Sequence, residues 1–137
     1  MSNDAGQNEN QFRTLGFVGS SEAEQEKQKA DISQYCQEKS LILPADNQFF
    51  SDWQMLEKEL QQGQYIAVVV TDVGVLSKEP NESADRVVTL LEYRIRVEVI
   101  NRQQYDLLEP YQPQRLTISQ LEFIKQRVLN ILEQRML

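Results

Sequence analysis

The chain contains no histidine and only one cysteine, Cys36, in 137 residues. Without histidine, Ser-His-Asp and Cys-His catalytic arrangements are excluded. A lone cysteine cannot close an intramolecular disulfide, and zinc sites built from Cys and His are excluded with it. No apolar run approaches the roughly 20 residues that a spanning helix needs, and the N-terminus lacks a signal-peptide core. A soluble, cytoplasmic protein without a membrane partner is therefore the expectation, and the sequon Asn81-Glu82-Ser83 reads as chance. Basic residues are also short: 14 Lys and Arg face 21 Asp and Glu, for a net charge of −7 and a pI near 4.6. DNA binding rests on clustered cations that neutralise phosphates, so direct DNA binding is not expected unless a local basic patch or a partner opposes this field.

What is present is enough chain for one modest core, 40% of it hydrophobic. Residues 1–12 have almost nothing apolar to bury and read as a disordered leader. Arg13 to Val18 is a short strand candidate, broken at Gly19-Ser20-Ser21 before a helix from about Ser21 to Lys39. Ser20 or Ser21 can cap that helix, acids fill its first turn, and Ile32, Tyr35 and Cys36 make its inward stripe, with Cys36 read as a small core residue. Leu41-Ile42-Leu43 is a second brief strand and Met55 to Gln61 a short helix. Tyr65 to Val70 (YIAVVV) is an unbroken β-branched run suited to a parallel strand covered on both faces. Thr71 to Pro80 is a loop, Asn81 or Ser83 opens a helix to about Tyr93, and Ile95 to Ile100 alternates in the manner of an edge strand. Residues 103–116, with two prolines, read as a linker. A last helix at 117–137 carries Leu121, Ile124, Val128 and Ile131 on one stripe, widened by Ile118 and Leu132. That stripe packs either on the chain's own sheet or on another subunit.

The alternation of strand and helix argues for an α/β fold, a small doubly wound and mostly parallel sheet of about four strands flanked by helices, with a C-terminal helix. Ligands and chemistry gather at the carboxyl ends of strands in such sheets, where the Gly19-Ser20-Ser21 loop and the Thr71 to Lys78 loop both fall. The first loop lacks the glycine and lysine spacing of a nucleotide loop, so a phosphate seated at Gly19 to Ser21 is only weakly signalled. Asp52 and Asp72 are either solvated loop acids or a pair able to hold Mg²⁺, and no cofactor or metal is expected. Trp53 beside Phe49 and Phe50 is either a hydrophobic plug or an exposed contact patch.

The stretch GFVGSSEAEQEKQKADISQYCQEKSL resembles the opening of the serine recombinase (resolvase/invertase) catalytic domain, with Gly16, Phe17, Ser21 and Gln25 in register and Gln34-Tyr35-Cys36 following. YIAVVVTDVGVLSKEPNES is similar to that family's buried strand and second loop, with Asp72, Leu76, Ser77 and Lys78 in place. LLEYRIRVEVIN resembles the helix-to-strand passage after it. The resemblance spans about Arg13 to Asn101 and implies a resolvase-like α/β domain at 13–102 with Ser21 at the nucleophile position. It also implies arginines that stabilise charge on the phosphorus oxygens, and here the chain departs. Gly19 stands two residues before the serine, Val75 stands in the second loop, and Lys78 replaces the last arginine. The stretch from Phe50 to Leu56 is too short for the family's mobile loop and its following arginine. Losing one preorganised donor typically costs about 10²–10³ in rate, and lysine lacks the bidentate fork of arginine.

The reading is thus a catalytically inactive resolvase-like domain, an acidic pseudoenzyme that acts as a protein-interaction or regulatory module. It would self-associate through Leu121, Ile124, Val128 and Ile131. One alternative is an active DNA-cleaving enzyme with Ser21 as nucleophile and Lys78, Arg13 or Arg94 as substitute cations. Another is a small phosphate- or nucleotide-binding regulatory domain.

Overall fold

The computed structural model describes residues 13–42, 44–45, 48–63, 65–111 and 115–135, so the expected leader lies outside the described residues. Four strands form one all-parallel sheet: β1 (Arg13–Phe17), β2 (Phe49–Phe50), β3 (Tyr65–Val70) and β4 (Arg96–Val99), in the order β2-β1-β3-β4. Among the described residues five α-helices accompany them: α1 (Glu22–Glu38), α2 (Trp53–Gln62), α3 (Pro80–Glu92), α4 (Arg102–Leu108) and α5 (Ile118–Gln134). The α/β doubly wound expectation is met. Among the described residues no helix is long and apolar enough to cross a membrane.

β3 is central because its side chains have no polar face to show water. Ala67, Val68, Val69 and Val70 are all fully buried, and the period of two sends them alternately to two cores. Val68 and Val70 join Leu15, Phe17, Leu56, Val87, Leu90, Ile124, Val128 and Leu132 on the face covered by α2, α3 and α5. Val69 joins Val18, Ile32, Tyr35 and Cys36 on the face covered by α1. This split follows from strand order: the chain steps one way from β1 to β2 and the other way from β2 to β3 and β4. Crossovers of constant hand then place α1 opposite α2 and α3.

Two sequence expectations are corrected, and the last helix takes one of its two readings. The second strand is Phe49–Phe50, not Leu41-Ile42-Leu43. Helix α1 ends with Ser40 at φ 58° and the Leu41 amide bonded to the Cys36 carbonyl, which sends Leu41 into the α1-side core as the closing contact of the helix. The Thr14 hydroxyl of β1 donates to the Ile42 carbonyl at 2.6 Å, and Leu43 lies outside the described residues. Residues 103–116 are not all linker, since α4 and a 3₁₀ turn at Glu109–Tyr111 lie within them. Asn101 supplies the start signal, accepting from the Gln103 and Gln104 amides. The last helix docks in cis on α3, and its stripe of Ile124, Val128 and Leu132 is buried in the chain's own core.

Candidate functional site

The order of strand addition reverses between β1 and β3, so the crevice at their carboxyl ends is where an open α/β sheet takes its ligand. Both loops singled out from the sequence lie there. The first is closed by its own helix. The Gly19 amide, which would be the first donor to a bound phosphate, instead donates to Gln28 Oε1 at 2.7 Å. Glu24 Oε2 lies 2.8 Å from the point a Gly19 Cβ would occupy, and with Glu22 it supplies negative charge to the first turn of α1. The helix dipole therefore already has its anions.

Ser21 occupies the N-cap position of α1 and is exposed, but its hydroxyl makes no cap bond, and its carbonyl alone is engaged, accepting from the Gln25 amide. The capping expected of the Ser21 side chain is thus not made. Among the described residues no hydrogen bond joins that hydroxyl to a base.

The second loop is built around Asp72. Its carboxylate accepts from the Gly74 amide at 2.8 Å, Gln104 Nε2 at 3.1 Å and Asn101 Nδ2 at 3.3 Å. Arg135, just past α5, grips it with two bonds of 2.8 Å. Burial works to raise the Asp72 pKa, but the Arg135 guanidinium, the Gly74 amide and Gln104 outweigh it and hold the carboxyl below its ordinary range. Hydrogen bonding to Asp72 in turn raises the Arg135 pKa. Gln104 is itself buried and also accepts from the Val73 amide at 2.8 Å. Asp72 thus joins β3, the β4–α4 connection and α5.

The remaining site residues are dispersed. Lys78 is exposed, and Val75 is half-buried and packs against the core. Ser77 orders the entry to α3, donating to Glu82 at 2.8 Å and accepting from the Glu79 amide. Asp52 is spent as the N-cap of α2, accepting from the Gln54 and Met55 amides, and among the described residues no group of three His, Cys, Asp or Glu could hold a metal. Trp53 serves as a plug: it meets Phe17 edge-on at 6.3 Å and carries the Arg86 guanidinium 5.1 Å above its ring. Arg86 also bonds the Leu76 carbonyl and pairs with Glu82 at 2.8 Å, so this cation at the crevice rim is committed to closing the loop. Arg13 opens β1 and Arg94 precedes β4, so both stand at the amino-terminal end of the sheet, away from Ser21.

Of the four residues expected to form an interface, Ile124 and Val128 are fully or almost fully buried within the chain and Leu121 and Ile131 are half-buried. That burial corrects the interface expectation for Ile124 and Val128, and Leu121 packs against the same core. Sequence reasoning missed Arg135, Gln104 and Asn101. Only Asn101 carried a local signal, as a capping residue before a short helix. No protein family, curated protein or solved structure matches this chain.

Proposed function

We propose that the chain is a non-catalytic resolvase-like domain that works by binding other proteins. The observation that carries this reading is the state of the crevice between β1 and β3. Asp72 is saturated by Arg135, Gln104, Asn101 and the Gly74 amide, while Ser21 has neither a base nor a cation bonded to it among the described residues. Phosphoryl transfer depends almost wholly on positioned positive charge. Here Arg135 is neutralised by Asp72 and Arg86 by Glu82. The small phosphate-binding reading is disfavoured by the Gly19 amide, already bonded to Gln28, and by Glu22 and Glu24 at the same helix end.

The test is incubation with supercoiled plasmid, quenched with denaturant and probed for covalently attached protein. No adduct is expected, and Ser21→Ala is expected to behave as the wild type. An adduct that forms with the wild type and disappears with Ser21→Ala would sink the reading and restore the nuclease alternative.

A further inference from the structure

Arg94 and Arg115 line a single cavity of about 210 Å³ where the end of α3 meets the start of α5, together with Leu91, Leu116, Leu121 and Glu92. Neither guanidinium has a hydrogen bond, ion pair or ring contact among the described residues. Of the six other arginines, Arg86, Arg96, Arg102 and Arg135 are paired with carboxylates, and neither Arg13 nor Arg127 lines this cavity. Leu91 belongs to the buried core, and Leu116 and Leu121 pack against it, so aliphatic surface lies beside the two cations. One helical turn before Leu121 stands Ile118, 76% exposed, which extends that surface outward.

Arg94 occupies its place at a conformational cost. It is the residue after the α3 C-cap, with φ 61°. The Ile95 amide bonds to the Leu90 carbonyl and the Arg94 amide to the Leu91 carbonyl, both at 2.9 Å. Glycine is the usual occupant of this closing turn because it alone takes left-handed backbone without a Cβ clash. An arginine there puts a charged side chain on the cavity at the cost of a left-handed backbone.

We propose that this cavity docks an acidic residue of a partner protein, taking its carboxylate between Arg94 and Arg115 and an adjoining aliphatic side chain against Leu116 and Leu121. Volume decides the class of ligand. A cavity of about 210 Å³ falls below the roughly 300–1,000 Å³ of sites that enclose a whole small molecule or cofactor. It suits one side chain. Charge decides its sign, since two unpaired arginines lie on a chain of net charge −7 and planar guanidinium forks match carboxylates. A nucleic-acid strand is the poorer occupant, because its affinity comes from many neutralised phosphates and Glu92 shares this cavity. The proposal rests on the protein-binding reading above and names the chemistry of the partner.

The experiment is an NMR titration of the full chain at low salt with isocaproate, its neutral isostere isocaproamide, and inorganic phosphate. Isocaproate should shift the Arg94 and Arg115 Nε–H signals and the Leu116 and Leu121 methyls along one saturating curve. Isocaproamide should bind about tenfold more weakly, the loss expected for a charge-assisted bond. Arg94→Gln combined with Arg115→Gln should abolish saturation while leaving the amide spectrum elsewhere folded, and Glu92→Gln should tighten binding. Equal binding of acid and amide, no saturation with isocaproate, or phosphate binding that outcompetes isocaproate and leaves the leucine methyls unmoved would each overturn the proposal. Failure here without a plasmid adduct removes this site and leaves the non-catalytic reading standing. An adduct removes that reading whatever isocaproate does.

Discussion

Arg135 and Asp72 lie 63 positions apart in the chain and meet through two parallel bonds of 2.8 Å at the carboxyl end of β3. The pair ties the last turn of α5 to the switch point of the sheet. Nearly half of the Arg135 side chain is in water, so screening limits what the pair contributes, and Arg135→Gln should cost about 1 kcal/mol. Asp72→Ala should cost more, about 2–3 kcal/mol, because it strands the Gln104 amide group and the Gly74 N–H as well. Urea unfolding of the two variants reads the difference. Equal midpoints would show that Asp72 acts through Arg135 alone.

The same carboxylate sets an acid limit. Its pKa is lowered in the folded chain, so its contribution is complete above the unfolded value of about 4 and disappears as pH falls through the folded value. Between neutral pH and that acid range, the wild type should lose stability relative to Asp72→Asn. Parallel curves for the two proteins would remove Asp72 from the acid transition.

Ser21 and Thr117 both occupy N-cap positions, and only Thr117 makes the bonds. Its hydroxyl accepts from the Gln120 amide at 3.2 Å while Gln120 Oε1 accepts from the Thr117 amide at 2.9 Å. Thr117→Ala should therefore cost about 1 kcal/mol and Ser21→Ala less than about 0.5 kcal/mol. A thermal melt of each variant decides. A large loss at Ser21 would mean that the hydroxyl has a structural partner.

The parts of this fold legible from sequence are those whose signal is local. The Tyr65 to Val70 run, the helix boundaries near Ser21 and Thr117, and the inward stripe of α1 each depend on neighbours a few positions away. β2 failed that condition. Two residues make a strand only because Gly16 has no side chain: a Cβ there would lie 2.5 Å from the Phe49 ring. Leu41-Ile42-Leu43 is the stronger strand sequence, and the turn at Ser40 diverts it. In the site, Asp72 was visible as a loop acid at a strand end. Its partners were not, because Gln104 sits in a segment that composition marks as linker and Arg135 pairs across 63 positions.

The two faces of α5 should respond differently to substitution. Ile124 is fully buried, and Ile124→Ala should cost about 2–4 kcal/mol through the cavity it leaves. Ile118 is 76% exposed, and Ile118→Ser should change the unfolding free energy by less than about 0.5 kcal/mol. Chemical denaturation measures both. A tolerated Ile124→Ala would mean that α5 does not dock in cis.

Tyr35 and Glu98 form the polar centre of the opposite face. The phenol donates to Glu98 Oε1 at 2.8 Å, and Glu98, 2% exposed, lies with its other oxygen 3.0 Å from an Arg96 guanidinium nitrogen. Oε2 is within ion-pair reach of Arg96 but lacks hydrogen-bond alignment, so the tyrosine is the better-aligned donor to this carboxylate. Tyr35→Phe should cost about 1–3 kcal/mol by leaving Oε1 unsatisfied. Burial first, and then the bond to Glu98, push the Tyr35 pKa far above its ordinary value. Its contribution is complete below the unfolded value of about 10 and lost as pH rises beyond it. In an alkaline titration Tyr35 should ionise only as the chain unfolds. Tyrosinate absorbance from Tyr35 that precedes loss of circular dichroism would contradict this burial.

Ser40 and Arg94 share one backbone state, φ 58° and 61°, each just past the C-cap of its helix. Relief of the Cβ clash favours glycine at both positions, against the extra entropy glycine gains when unfolded. Ser40→Gly and Arg94→Gly should each stabilise the chain by about 1 kcal/mol, read as a raised thermal midpoint. The two differ in what is lost. Ser40 closes α1, remote from the cavity beside Leu116 and Leu121, and its glycine variant should bind isocaproate as the wild type does. Arg94→Gly should be the more stable and the weaker binder at once. If it is more stable and binds isocaproate undiminished, the strained arginine has no part in recognition and the cavity is only a surface dent.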